Sequence, residues 1–83
     1  VQSNLGKLYL QMKDFPKAID NLRQALYMNP YSVDDHVSLA HAYMSVNERK
    51  LAKEELEIAL GFVPDNEKIK SMLNSIKASE KKK

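Results

Sequence analysis

Displaced by 34 residues, the chain matches itself without a gap. Leu5 falls on Leu39, Tyr9 on Tyr43, Ala18 on Ala52 and Leu22 on Leu56. Further along, Ala25 falls on Ala59, Leu26 on Leu60 and Pro30 on Pro64, while Gly6 meets Ala40 and Leu10 meets Met44. The coincidences lie almost wholly at apolar, small or proline positions. Packing selects such positions, so the period marks a structural unit stacked on its own copy.

Each period reads as two helices. Leu5, Leu8, Tyr9 and Met12 recur at steps of three and four and share one helical face. Asp14 is expected to cap a second helix through its carboxylate, with Pro16 tolerated in the first turn, where amide donors lack helical partners anyway. That helix carries the stripe Ala18, Ile19, Leu22, Ala25 and Leu26. It ends at Asn29-Pro30, because proline disfavours helical geometry in the residue before it. Ser32 then reads as an N-cap with Asp35 completing a capping box, followed by Val37, Ala40, Tyr43 and Met44 at helical spacing. Asn47 is expected to cap the next helix, whose stripe is Leu51, Ala52, Leu56, Ala59 and Leu60. Val63-Pro64 closes it. The small residues Gly6, Ala18, Ala25, Ala40, Ala52 and Ala59 allow helix backbones to approach, and a bulky replacement there should overpack the hairpin.

A third segment departs from the pattern. Ile69, Met72, Leu73 and Ile76 form an apolar stripe, but Asn74 and Lys77 replace the small residue and the tyrosine. A polar back of this kind suits a helix that closes the end of a stack. Ala78 onward is expected to fray.

Composition narrows the chemistry. Gly occurs twice and Pro three times, and 43% of the residues are apolar, enough for a core in one small helical domain. The net charge of +2 includes Lys81, Lys82 and Lys83; without them ten basic residues face eleven acidic ones. No cationic excess is left in the body to displace counterions from phosphates, which argues against a nucleic-acid partner. Cysteine is absent, so thiolate chemistry and cysteine-ligated zinc are excluded. No apolar run reaches the length of a membrane span, so no membrane contact by this segment is expected.

Catalysis finds no foothold. His36 and His41 are five residues apart, which turns a helix by about 500° and leaves the rings about 140° apart, unable to share a metal. Asp34 and Asp35 sit in a first turn, where carboxylates favour the helix dipole. Glu54, Glu55 and Glu57 read as a solvated face. Two glycines make no phosphate loop. Neither an enzyme nor a cofactor or metal site is expected.

The 34-residue period, with Leu-Gly-x-x-Tyr, Ala-x-x-x-Leu-x-x-Ala and Pro in order, resembles the tetratricopeptide repeat. Leu5, Gly6, Tyr9, Ala18, Leu22, Ala25 and Pro30 stand at its signature positions. Leu39, Ala40, Tyr43, Ala52, Leu56, Ala59 and Pro64 repeat them. Gln2 and His36 depart from the early tryptophan, and Arg49 departs from the aromatic represented by Phe15. The resemblance implies an all-α fold, a right-handed α-α superhelix or solenoid of about five antiparallel helices. It would divide the chain into a first repeat over 1–32, a second over 33–66, a capping helix over 67–79 and a disordered tail over 80–83. In that register the first copy lacks its opening two residues, and the chain is expected to be one end of a longer array.

The resemblance also implies a function: a scaffold that binds a peptide or helix of a partner protein in a concave groove lined by the first helix of each repeat. The groove register places Ser3, Lys7, Leu10 and Gln11 there from the first repeat. Asp34, Val37, His41, Met44 and Ser45 follow from the second, and Lys68, Ser71 and Ser75 from the last helix. Leu10 and Met44 read equally as groove-facing or as buried between helices, and Lys7 and Lys68 read first as ordinary solvated lysines. One subfamily grips the C-terminal carboxylate of chaperone tails with Lys, Asn, Asn, Lys and Arg. Here Ser3, Lys7, Ser38, Lys68 and Met72 hold those positions, and only Lys68 matches, so such binding is not expected. Two alternatives stand beside the scaffold. Two repeats and a cap bury little core, and the alternative is a homo-oligomer in which Val1, Leu5 and Leu8 meet a second copy. An RNA-binding helical repeat is disfavoured, because Ser3/Val37 and Lys7/His41 show no base-reading code.

Overall fold

The computed structural model describes residues 2–81, with side chains described for 5–79. Five helices follow one another: α1 (Gln2–Gln11), α2 (Phe15–Met28), α3 (Val33–Ser45), α4 (Arg49–Phe62) and α5 (Glu67–Lys81). Each packs on its neighbour in sequence, and α1 also touches α3. No strand occurs among the described residues, and the fold is all-α. The last helix runs on through Lys81, beyond the expected end of the cap at Ser79; Lys82 and Lys83 lie outside the described residues.

The turns within the two hairpins are copies of each other. Lys13 and Asn47, equivalent by the 34-residue period, both take left-handed backbone, with φ of 63° and 64°. The amide after each reaches back into the helix before it, Asp14 N to Tyr9 O at 2.9 Å and Glu48 N to Tyr43 O at 2.8 Å. These bonds satisfy carbonyls that the helix end leaves without partners. The geometry corrects two expected caps. Asp14 does cap α2, but its carboxylate makes no capping bond and sits 3.8 Å from Lys17 Nζ. Asn47 takes the left-handed turn just after Val46, the C-cap of α3, rather than starting α4, and Glu48 takes the N-cap.

Between repeats the expected cap holds, in half. Ser32 Oγ accepts from Asp35 N at 3.4 Å, while the amide of Ser32 donates to Asn29 O instead of to a carboxylate. At the equivalent place Asn66 Oδ1 accepts from Ile69 N at 3.0 Å, a cap the apolar pattern did not reveal.

The core is a column of fully buried Leu22, Leu39, Leu56, Ile69 and Ile76, with Ala18, Ala40, Ala52 and Ala59 between the helices. Tyr43 is buried and Tyr9 half-buried, its ring 5.7 Å from Lys17 Nζ. The face shared by Leu5, Leu8 and Met12 is exposed at 40%, 49% and 59%, with no helix among the described residues packed over it. Leu39, the copy of Leu5, is 1% exposed beneath α2.

Candidate functional site

Alternate helices line one side of the stack. Lys7 and Leu10 reach it from α1, Val37, Ser38 and His41 from α3, and Lys68 and Met72 from α5. Their side chains border two adjoining hollows. The first, about 240 Å³, is lined by Lys7, Val33, Asp34 and Val37, and closed by Asn66, Lys68 and Ile69. The second, about 200 Å³, runs from Leu10 past Val37 and His41 to Met72. Val37, Ser38 and Lys68 border both, so the hollows are neighbouring parts of one groove.

Six of the residues that the repeat register assigns to this side do come together there: Lys7, Leu10, Asp34, Val37, His41 and Lys68. Leu10 serves both of its readings, half-buried against the core and lining the second hollow. Gln11, Met44, Ser45, Ser71 and Ser75 are exposed and line neither hollow. Ser45 Oγ donates to His41 O at 3.1 Å, a bond within its own helix. The side chain of Ser3 lies outside the described residues.

The groove gains Val33, Asn66 and Ile69 over that register, together with Ser38 and Met72, which sequence reasoning weighed as clamp positions. Val33 and Asn66 sit where α3 and α5 begin, and only the angle of chain entry turns them toward the groove. Among the described residues neither Lys7 nor Lys68 joins an ion pair, so both ammonium groups stay available to a ligand.

The opposite side of the stack holds a polar cluster. His36 is 6% exposed, with Nδ1 2.7 Å from Glu55 Oε1 and Nε2 2.8 Å from the carbonyl oxygen of Pro30. That carbonyl can only accept, so Nε2 carries a hydrogen; a further hydrogen must lie between Nδ1 and Oε1. Glu55 is therefore no member of a solvated acidic face. The ring also faces Phe62 at 6.2 Å, and Phe62 meets Tyr31 edge-on at 5.8 Å. Beside this cluster opens a shallow hollow of about 470 Å³ that reaches Arg23, Tyr27 and Tyr43. Burial pushes the Tyr43 phenol above its ordinary pKa, against a smaller opposite pull from Arg23. Among the described residues no group of three His, Asp or Glu could hold a metal, and none of their helices is long and apolar enough to cross a membrane.

Helical hairpins stacked in register, with alternate helices lining one groove, define a helical-repeat protein. Residues 1–32 match the tetratricopeptide repeat family, and the chain carries that repeat and its fold. A solved structure described as the first TPR of Spaghetti (RPAP3) bound to the HSP90 peptide SRMEEVD is similar in fold, with a TM-score of 0.90 at 20% identity. The match covers 94% of this chain and 62% of that one. No curated protein matches the chain in sequence. Repeats of this type are scaffolds rather than catalysts, and the chain has the architecture of a protein-interaction module.

Proposed function

We propose that the chain binds a short segment of a partner protein in the groove between α1, α3 and α5, and has no catalytic activity of its own. The observation that supports this best is the pair of adjoining hollows, where half-buried Val37, Leu10 and Met72 form an apolar floor beneath Lys7, Lys68, His41 and Asp34. Apolar pockets with a polar rim suit an extended or helical peptide, the floor contributing burial and the rim register. Met72 adds an adaptable surface. The similar structure holds a peptide, which is consistent with this reading of the fold.

A terminal carboxylate is not the anchor in this proposal. Ser38 and Met72 face the groove where a carboxylate clamp would present Asn and Arg, leaving too few fixed donors for a bidentate grip. The experiment is a phage-displayed random-peptide selection on the 83-residue chain. Selected peptides should shift the NMR signals of Val37 and Met72, and Val37→Glu should abolish binding while Tyr27→Ala leaves it intact. Peptides that instead perturb Tyr27 and Leu51, or that lose binding when only their C-terminus is amidated, would refute the assignment.

A further inference from the structure

The two hollows of the groove are chemically unlike. Lys7, Asp34 and Lys68 all line the first, and none of the three joins an ion pair among the described residues. Two ammonium groups therefore stand against a single carboxylate, which leaves an excess of positive charge. Asn66 adds a donor: the Ile69 amide takes its Oδ1 at 3.0 Å, so its Nδ2 hydrogens are left over. The second hollow has no carboxylate, and half-buried Leu10, Val37 and Met72 make it mostly apolar.

We infer that the bound segment places an acidic side chain in the first hollow and a bulky apolar one in the second, two positions apart in an extended chain. The inference rests on the groove reading and specifies its ligand. An apolar side chain in the first hollow would strip water from Lys7 and Lys68 and offer their ammonium groups nothing in return. A basic one would add repulsion. A carboxylate replaces that water, balances the excess charge and accepts from Asn66 as well. The spacing follows from the size of the hollows, which adjoin. Spheres of these volumes are about 7–8 Å across, close to the roughly 7 Å between side chains two positions apart on one side of an extended chain. Consecutive residues would point to opposite sides, and only one of them would enter the groove. Asp34 works against the ligand's charge, so it moderates the affinity that the two lysines supply.

The test is the random-peptide selection on the 83-residue chain, repeated on the Lys7→Glu/Lys68→Glu double variant after circular dichroism confirms its helices. Wild type should enrich Asp or Glu two positions from Leu, Ile, Met or Phe. The variant should enrich Lys or Arg at the acidic position and keep the apolar one. A synthetic consensus peptide, acetylated and amidated so that only its side chain supplies a carboxylate, is then titrated against single variants. Lys7→Gln and Lys68→Gln should each weaken it about three- to fivefold, and Asp34→Asn should tighten it by a similar factor. Lys77→Gln, which removes a charge from α5 outside both hollows, should change nothing. Peptides that shift Val37 and Met72 yet show no acidic preference, or that ignore both lysine variants, overturn this inference and leave the groove reading standing. A selection whose peptides bind away from Val37 and Met72, or that yields none, overturns the groove reading and this inference with it.

Discussion

A β-carbon placed on Gly6 would stand 2.6 Å from Cγ of Leu22, which is fully buried. The first hairpin is therefore closed more tightly than an alanine allows, although Ala40 occupies the equivalent place in the second. Gly6→Ala gains helix propensity but forces Leu22 out of its well. Because Leu22 has no free space, the clash should prevail, with a net loss of about 1–3 kcal/mol in urea denaturation. A neutral or stabilising result would mean that the helices of the first hairpin separate freely.

The bond between His36 and Glu55 has a distinguishable signature. Glu55→Gln retains a side chain that donates from its amide to an unprotonated Nδ1, so the loss should stay below about 1 kcal/mol. Glu55→Leu leaves a buried ring nitrogen without a partner and should cost about 1–3 kcal/mol. Equal losses for the two variants, measured by urea denaturation near neutral pH, would show that the bond contributes nothing.

Lys13 holds left-handed backbone at φ 63° and is exposed, so its side chain contributes little to offset the strain. Lys13→Gly should stabilise the chain by about 0.5–1 kcal/mol, since the relief of steric strain exceeds the added freedom of the unfolded glycine. The same change at Asn47 should yield less, because asparagine tolerates this conformation better. The comparison of the two midpoints checks the assignment.

Alkaline pH acts through Tyr43. Its folded pKa lies above the ordinary value of 10.0, chiefly through burial, so the neutral phenol is favoured in the native state. The associated stability is complete below pH 10.0 and declines as pH rises through that value toward the higher folded one, since the unfolded phenol ionises first. In a thermal melt series from pH 9 upward, Tyr43→Phe should lose stability less steeply than wild type.

The sequence pattern announces the helices and their order because periodicity follows directly from which faces are apolar. It does not announce whether a neighbour exists to cover a face. Leu5 and Leu39 carry the same residue in the same register, yet one is exposed and the other buried. Caps proved legible where a hydroxyl leads into an apolar run, as at Ser32, and illegible at Asn47, whose amide side chain suits a cap and a left-handed turn equally. The groove was readable in part, as Val37, His41 and Lys68 follow from helical register. Val33 and Asn66 enter it at helix starts, where register gives no guidance. Glu55 sits in an acidic run that looks solvated, and only the fold brings His36 across to it.

The Pro30 carbonyl, held at 2.8 Å by Nε2 of His36, lies in the link joining the two hairpins. Swinging one hairpin against the other would break this bond, leaving the Nε2 hydrogen of the buried His36 ring without its partner. The bond thus opposes bending at the joint. A peptide bound as proposed would meet a cleft whose width this bond helps to hold.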